Sequence, residues 1–279
     1  MSEDLERGAS NCPDSLKGEV AFVTGSGRGL GNMIAKSLIA RGADVVIHDI
    51  NEEAPAQYGE GESLSAVAAS MASDRCRAIG VTGDITDEAA VAQMTDTIER
   101  QLGPVSILVN CAGGDIGAAG TKPDPNGALS VSLADALAVF QRNFIGTMLM
   151  CRAIAPGMAQ RQKGSIVNFG SLNAHQGVSP EVIYGCAKAA IVHYTRCLAL
   201  ELRPAGVRVN VVSPGPTMTA RFLATRAADP KMMAGGPSLE RYAKPDEIAS
   251  AVAFLASPAS GFISGQVLRI DGGIGLYAA

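Results

Sequence analysis

Seven short Val/Ile-rich runs alternate with helix-patterned stretches along this chain, and that alternation leaves few folds open. The runs cover residues 20–24, 44–48, 77–82, 106–110, 165–169, 208–213 and 266–270. Helical patterns fall between them near 31–41, 62–73, 86–101, 132–161, 182–203 and 245–256. A strand, a helix and a second strand in sequence close as a right-handed crossover, so the strands lie parallel and helices cover both faces. The expected class is α/β, a doubly wound Rossmann fold with a seven-stranded parallel sheet. Thirty-two glycines among 279 residues and only 4% aromatics suit tight strand-to-helix turns, and 47% hydrophobic residues can fill a large core. No Gly/Ser-rich or Pro-rich linker divides the sequence, so residues 17–279 read as one domain. Residues 1–16 are polar, contain Asn11, Pro13 and Asp14, and are expected to form a flexible tail.

Composition excludes several functions. A net charge of −4 offers no basic footprint for nucleic acid. The acidic start Met-Ser-Glu-Asp-Leu-Glu-Arg lacks the apolar core of a secretory signal, and no apolar run approaches the ~18 residues of a membrane span. A cytoplasmic protein without membrane attachment is expected. The six cysteines form no C-x-x-C pair and read as reduced core residues, and His48, His175 and His193 lack metal-ligand spacing, so no metal is expected.

Between the first strand and the first helix lies Val23-Thr24-Gly25-Ser-Gly-Arg28-Gly29-Leu30-Gly31. Glycines at this junction allow a tight turn and close backbone approach, so a pyrophosphate can rest on free N–H groups at the helix N-terminus. Asp49 ends the second strand eighteen residues after Gly31. A carboxylate there can accept from both hydroxyls of an adenosine ribose and repels a 2′-phosphate, which points to NAD. Arg28 pulls the other way, because a cation beside the turn can pair with a 2′-phosphate. Ile50 supports NAD, since a phosphate site would carry a basic residue at that position.

The chemistry concentrates later in the chain. Tyr184 and Lys188 stand one helical turn apart, and Ser171 lies thirteen residues upstream at the end of the fifth strand. A free tyrosine, with a pKa of roughly 10, is a poor base at neutral pH, and a neighbouring lysine cation would favour its phenolate. The Ser171 hydroxyl would hold a substrate oxygen.

These motifs together resemble the short-chain dehydrogenase/reductase family, in its short single-domain branch, across nearly all of residues 17–279. Thr24-Gly-x-x-x-Gly29-x-Gly31 is similar to the family's cofactor turn, and Asn110-Cys-Ala112-Gly113 to its Asn-Asn-Ala-Gly, with Cys111 replacing the second Asn. Gly83-Asp84-Ile85 matches the family's acidic contact to adenine. Pro214-Gly215-Pro-Thr217-Met-Thr219 resembles the segment that closes on the nicotinamide carboxamide, and Asp271-Gly-Gly its C-terminal strand region. The resemblance implies cofactor contacts at Gly25, Arg28, Gly29, Leu30, Gly31, Asp49, Ile50, Asp84, Ile85, Asn110, Ala112, Gly113, Pro214, Gly215, Thr217 and Thr219, with Tyr184 and Lys188 completing the set. It implies catalysis by Asn143, Ser171, Tyr184 and Lys188. Tyr184 moves the hydroxyl proton, Lys188 lowers its pKa and holds the nicotinamide ribose, and Asn143 holds a water linking Lys188 to solvent. Assembly as a homotetramer or dimer through the helices at 132–161 and 182–203 is implied in the same way.

Asn173 and His175, just beyond Ser171, are candidate substrate contacts. Three longer connections, 51–61, 114–130 and 216–244, exceed what crossover units need, and the last reads as a substrate loop. Its arginines read equally well as solvated cations or as partners of an anionic substrate. The expected activity is NAD-dependent interconversion of a secondary alcohol and a ketone, on a cyclic alcohol, hydroxysteroid or sugar. A 3-oxoacyl-type ketoreductase and a non-catalytic dinucleotide-binding regulator are the competing readings. The three-residue gap between Tyr184 and Lys188 argues against an enoyl reductase, and the chain has no room for the C-terminal domain of an epimerase.

Overall fold

The computed structural model describes residues 14–233 and 236–276. Seven strands are hydrogen-bonded in the order β3-β2-β1-β4-β5-β6-β7, every neighbouring pair parallel. They are β1 (Val20–Thr24), β2 (Asp44–Asp49), β3 (Ala78–Thr82), β4 (Ile107–Asn110), β5 (Ser165–Phe169), β6 (Arg208–Pro214) and β7 (Val267–Ile270). The helices are α1 (Gly29–Ile39), α2 (Leu64–Met71), α3 (Glu88–Gln101), α4 (Leu133–Phe140), α5 (Gly146–Gln160), α6 (Val182–Leu202), α7 (Ala220–Thr225) and α8 (Pro245–Ala256).

Each central strand is apolar on both faces, and alternate residues enter different cores. Ala21, Val23, Val45, Ile47, Ile107 and Val109 meet Ile34 and Leu38 of α1, Leu64 of α2 and Ile248 and Val252 of α8. Val20, Phe22, Val46, Leu108 and Ile166 meet Met94 and Ile98 of α3, Met150 and Met158 of α5 and Leu198 of α6. Period-two alternation with helices on both sides is what a parallel sheet requires. The chain reverses its direction of travel across the sheet between β1 and β4, which pair from Ala21 with Ile107 to Thr24 with Asn110. A ligand crevice belongs at the carboxyl ends of those strands.

Three expectations need correction. Leu16 is fully buried and its N–H donates to the Arg41 carbonyl at 2.8 Å, so the ordered domain begins before residue 17. Residues 1–13 of the expected tail lie outside the described residues. The helix expected over 132–161 is broken into α4 and α5 by a π-turn over Gln141–Ile145. The substrate loop also carries its own short helix, α7, capped by the Thr219 hydroxyl, which accepts from the Phe222 N–H at 3.1 Å.

Candidate active site

At the end of β1 the chain turns so tightly that a Cβ on Gly31 would stand 2.2 Å from the Gly25 carbonyl oxygen, and only glycine fits. The turn is fastened from two sides. Ala112 N–H donates to the Thr24 hydroxyl at 3.0 Å, and Gly25 N–H donates to Nδ1 of buried His48 at 3.1 Å. Because Nδ1 accepts, Nε2 of the neutral ring carries the proton and donates to the Gly83 carbonyl at 2.9 Å. Burial lowers the His48 pKa, which keeps the imidazole in this state. Sequence alone assigned His48 no role and showed only its lack of metal-ligand spacing, although its place beside Asp49 at the strand end was the available signal.

The N-terminus of α1 receives an anion in the structure. Gly29 N–H donates to the Glu60 carboxylate at 2.7 Å, so a side chain of the 51–61 connection stands where a phosphate oxygen would be bound. Asp49 is buried, accepts from Ile50 N–H at 2.9 Å and faces the Arg28 Nε at 3.6 Å. Arg28 also bonds Gln57 and lies over the Tyr58 ring, 5.2 Å from its centroid. Asp84 is exposed at the end of β3 and accepts from Thr86, while the Ile85 side chain is buried in the core. The Asn110 side chain turns inward and donates to Asn168 Oδ1 at 2.8 Å, tying β4 to β5. These residues fit a dinucleotide: a close-packed glycine turn, an anion-receiving helix end and a buried carboxylate at the second strand.

The catalytic candidates converge beyond β4 and β5. Lys188 is buried and donates to the Phe169 carbonyl at 2.9 Å, with its ammonium 5.6 Å from the Tyr184 ring centroid. A Cβ on Gly113 would lie 3.7 Å from Lys188 Nζ and 2.5 Å from Asn143 Oδ1, so glycine there lets the post-β4 turn approach both. Ser171 hydrogen-bonds the Tyr184 phenol and accepts from Asn173 N–H at 3.2 Å.

Electrostatics correct one expectation. Burial pushes the Tyr184 phenol up to about 12, with Ser171 opposing that shift, and burial pushes Lys188 down to about 8. Desolvation outweighs any charge attraction from the lysine, so in the ligand-free chain Tyr184 is a protonated acid at neutral pH.

Asn143 is bound on every side by backbone. Its amide donates to the Val139 carbonyl at 2.7 Å and the Gly114 carbonyl at 2.9 Å, and Oδ1 accepts from Gly114 N–H at 3.0 Å. Both amide hydrogens are spent on backbone carbonyls, so the side chain ties the end of α4 to the post-β4 turn. His175 is drawn away from Tyr184: after the short turn at Leu172–Ala174 its Nε2 pairs with the Ser213 hydroxyl of β6 at 2.9 Å. Asn173 keeps a place beside the site, but its amide donates to Glu181 Oε2 at 2.9 Å.

The segment after β6 closes over these groups. Gly215 N–H donates to the Ile270 carbonyl at 2.9 Å, and the Thr217 hydroxyl donates to the Gly215 carbonyl at 3.0 Å. Thr219 approaches the position of a Cβ on Gly29 at 3.9 Å, bringing α7 to the glycine turn. Arg221 reaches the post-β4 turn, its guanidinium 2.8 Å from where a Cβ on Gly114 would stand. Arg226 pairs with Glu181 Oε1 at 2.7 Å, and Lys122 pairs with the same oxygen at 2.8 Å. Of the two readings of the loop's arginines, full solvation gives way, since Arg221 and Arg226 are engaged within the protein, and Glu181, Asp115 and Asn126 were not singled out from sequence. Loop residues carry no periodicity from which such pairings can be read.

A crevice at the switch point of a doubly wound sheet, lined by a glycine turn and by a Ser, Tyr and Lys set, defines an oxidoreductase class. Comparison with known proteins gives the family. Residues 25–275 match the family model described as enoyl-(acyl carrier protein) reductase. The chain is 34% identical over 272 residues to cyclohexanol dehydrogenase of Rhodococcus sp. (strain TK6), covering 93% of this chain and 97% of that one. It is 36% identical over 265 residues to D-threitol dehydrogenase of Mycolicibacterium smegmatis, covering 92% and 93%. A solved structure of a short chain dehydrogenase/reductase family protein superposes with a TM-score of 0.76 at 37% identity, over 92% of this chain and 97% of the other. The chain belongs to the short-chain dehydrogenase/reductase family.

Proposed function

We propose that this protein is an NAD-dependent oxidoreductase that interconverts a secondary alcohol and a ketone, with Tyr184 as the acid/base. The observation that carries this reading is the meeting of Tyr184, Ser171 and Lys188 with Gly113 beside the glycine turn of β1. Relatives named for cyclohexanol and D-threitol oxidation support an alcohol substrate.

The dinucleotide supplies the hydride acceptor or donor. Glycines 25, 29 and 31 and the N-terminus of α1 would receive its pyrophosphate once Glu60 leaves Gly29 N–H. Asp49 would hold the adenosine ribose hydroxyls. Since Asp49 also engages Arg28, the one cation that argued for NADP already faces a carboxylate, and NAD is favoured. Arg221, half-buried, makes a long 3.5 Å contact to the Gly113 carbonyl, and it sits in the field of both Arg28 and Tyr184. A guanidinium so placed would pair with the pyrophosphate as α7 closes.

Ser171 would hold the reacting oxygen against the Tyr184 phenol. As drawn, the protonated phenol is poised to give its proton to the oxygen of a ketone being reduced, and the oxidation direction needs the phenol to lose that proton first. Lys188, tied to the Phe169 carbonyl, keeps a cation under the ring when ionised and would steady the nicotinamide ribose.

Assembly as a homo-oligomer, dimer or tetramer, belongs to the same proposal. Leu133 and Leu137 of α4 and Leu200 of α6 are exposed, which is the kind of surface a second copy would cover.

Steady-state NAD reduction over a panel of cyclic, polyhydroxy and steroid alcohols tests the reading. Turnover in the native chain that falls about 10²–10⁴-fold in Tyr184→Phe is expected. Dinucleotide binding without turnover of any alcohol or ketone would overturn it in favour of a binding regulator.

A further inference from the structure

Above Tyr184 the connections at 114–130 and 216–244 and the start of α6 share one polar network. Its centre is Glu181, buried although charged, at the residue preceding α6, with a left-handed φ of 76°. Oε1 accepts from Lys122 and Arg226, and Oε2 accepts from Asn173. The Asn173 N–H in turn reaches Ser171 Oγ. Glu181 N–H donates to the Asn126 carbonyl at 3.2 Å, and the Asn126 amide donates to Asp115 Oδ2 at 2.7 Å. A chain of hydrogen bonds therefore runs from the catalytic serine to Asp115.

Nearly every polar group in that chain has its partner, with two exceptions. Asp115 Oδ1 and Asn126 Oδ1 are buried and accept no hydrogen bond among the described residues. Both residues are more than nine-tenths buried, at 7% and 8% exposure. The amide orientation of Asn126 is not interchangeable, because the reverse would set its oxygen against the Asp115 carboxylate. Leaving one such acceptor buried and unmet costs about 1–3 kcal/mol, so two neighbouring ones at a site mark a place for a ligand's donors. Burial also holds the Asp115 carboxyl above its usual range despite the bond from Asn126, so its present partners do not fully settle the charge.

The pair lies close to the catalytic groups. Asp115 lies two residues beyond Gly113, which approaches Lys188, and both Asp115 and Tyr184 lie in the field of Glu181 and Arg226. An ammonium would meet Lys122 and Arg226 as well as Asp115, so neutral donors fit better. The reacting group at Tyr184 and Ser171 is a carbinol, and the donors carried by the neighbouring carbons of such a molecule are hydroxyls.

We propose that Asp115 and Asn126 form a subsite for hydroxyl groups beyond the reacting carbon, so that the substrate is a polyol or sugar rather than a simple or purely hydrocarbon alcohol. This deepens the alcohol-oxidising reading given above and rests on it. Glu181 acts as the positioning residue that holds the subsite in register with Ser171.

The test compares 2-butanol, 2,3-butanediol and the two tetritols, threitol and erythritol, at equal carbon number. In the native protein kcat/KM rises at least tenfold from 2-butanol to the better tetritol, and that tetritol raises the melting temperature of the NADH-loaded protein. Asp115→Ala and, separately, Asn126→Ala lower the tetritol to 2-butanol ratio at least tenfold, with the loss mainly in KM. Equal kcat/KM for all four alcohols, or a ratio unchanged in both variants, overturns the subsite while the alcohol dehydrogenase reading stands. Failure of the native protein to oxidise any alcohol, despite binding NADH, overturns that reading and this subsite with it.

Discussion

Tyr184 shows how much a single side chain's surroundings decide. Its phenol, pushed up to about 12 by burial, is ionised only above that value, so at pH 7 almost none is the base that alcohol oxidation requires. The rate of oxidation should therefore rise with pH, close to tenfold per unit below about pH 8 where the phenolate fraction limits the rate, while ketone reduction should stay level to about pH 10, because the phenol remains protonated there. Initial rates in both directions across pH 6–10 check this, and an oxidation rate that is flat over the range would mean the bound dinucleotide has already lowered the phenol. Lys188, at about 8, is a cation below that pH and neutral above it, so its own loss of charge should bend the oxidation profile downward near pH 8. Asp49 makes a separate prediction. Replacing it with alanine removes the carboxylate that repels a 2′-phosphate and frees Arg28, so kcat/KM for NADP relative to NAD should rise at least tenfold. Parallel kinetics with the two dinucleotides decide it.

At the scale of elements, what could be read from sequence and what could not divide along physical lines. Strands betray themselves because both faces of a parallel sheet are buried, so Val45-Val-Ile-His-Asp49 and Ser165-Ile-Val-Asn-Phe169 stand out as apolar runs, and each lies within a residue of the observed strand. The glycine turn and the Tyr184–Lys188 spacing are also legible, because local sterics and a helical repeat fix them. The π-turn over Gln141–Ile145 is not. One extra residue in a helix leaves the apolar pattern of 132–161 nearly intact, and beside it the Asn143 side chain bonds the Val139 carbonyl. The pairing of Glu181 with Lys122 and Arg226 was equally hidden, since it joins residues 59 and 45 positions apart through loops without periodicity. This account predicts that Asn143→Ala destabilises the chain by about 1–3 kcal/mol, since it removes the fully buried side chain's bonds to Val139 and to Gly114. Thermal denaturation should show a lower melting temperature, and Asn143→Asp should not recover the loss, because a buried carboxylate would face the Val139 and Gly114 carbonyl oxygens.

For the whole molecule, the sheet and the surface make different demands. The two cores bury the five central strands almost completely, yet α4 keeps Leu133 and Leu137 on one side, four residues apart, at 75% and 53% exposure, and α6 leaves Leu200 at 70%. Residues four apart share a helix face, and α4 packs against α6, so the exposed leucines belong to neighbouring helices. Fully burying one leucine side chain stabilises by about 1.5–3 kcal/mol, and a symmetric contact between two copies counts each position twice. The same helices carry the site: α6 supplies Tyr184 and Lys188, and the π-turn holding Asn143 follows α4. A second copy seated there would brace the elements that position the catalytic groups. Size-exclusion chromatography with light scattering should therefore give a dimer or tetramer for the native chain. Leu133→Glu combined with Leu137→Glu should shift it towards monomer and lower the melting temperature, because two carboxylates facing two more across a symmetric contact repel as well as lose apolar area. A native chain that elutes as a monomer at micromolar concentration would show that these leucines serve no self-association.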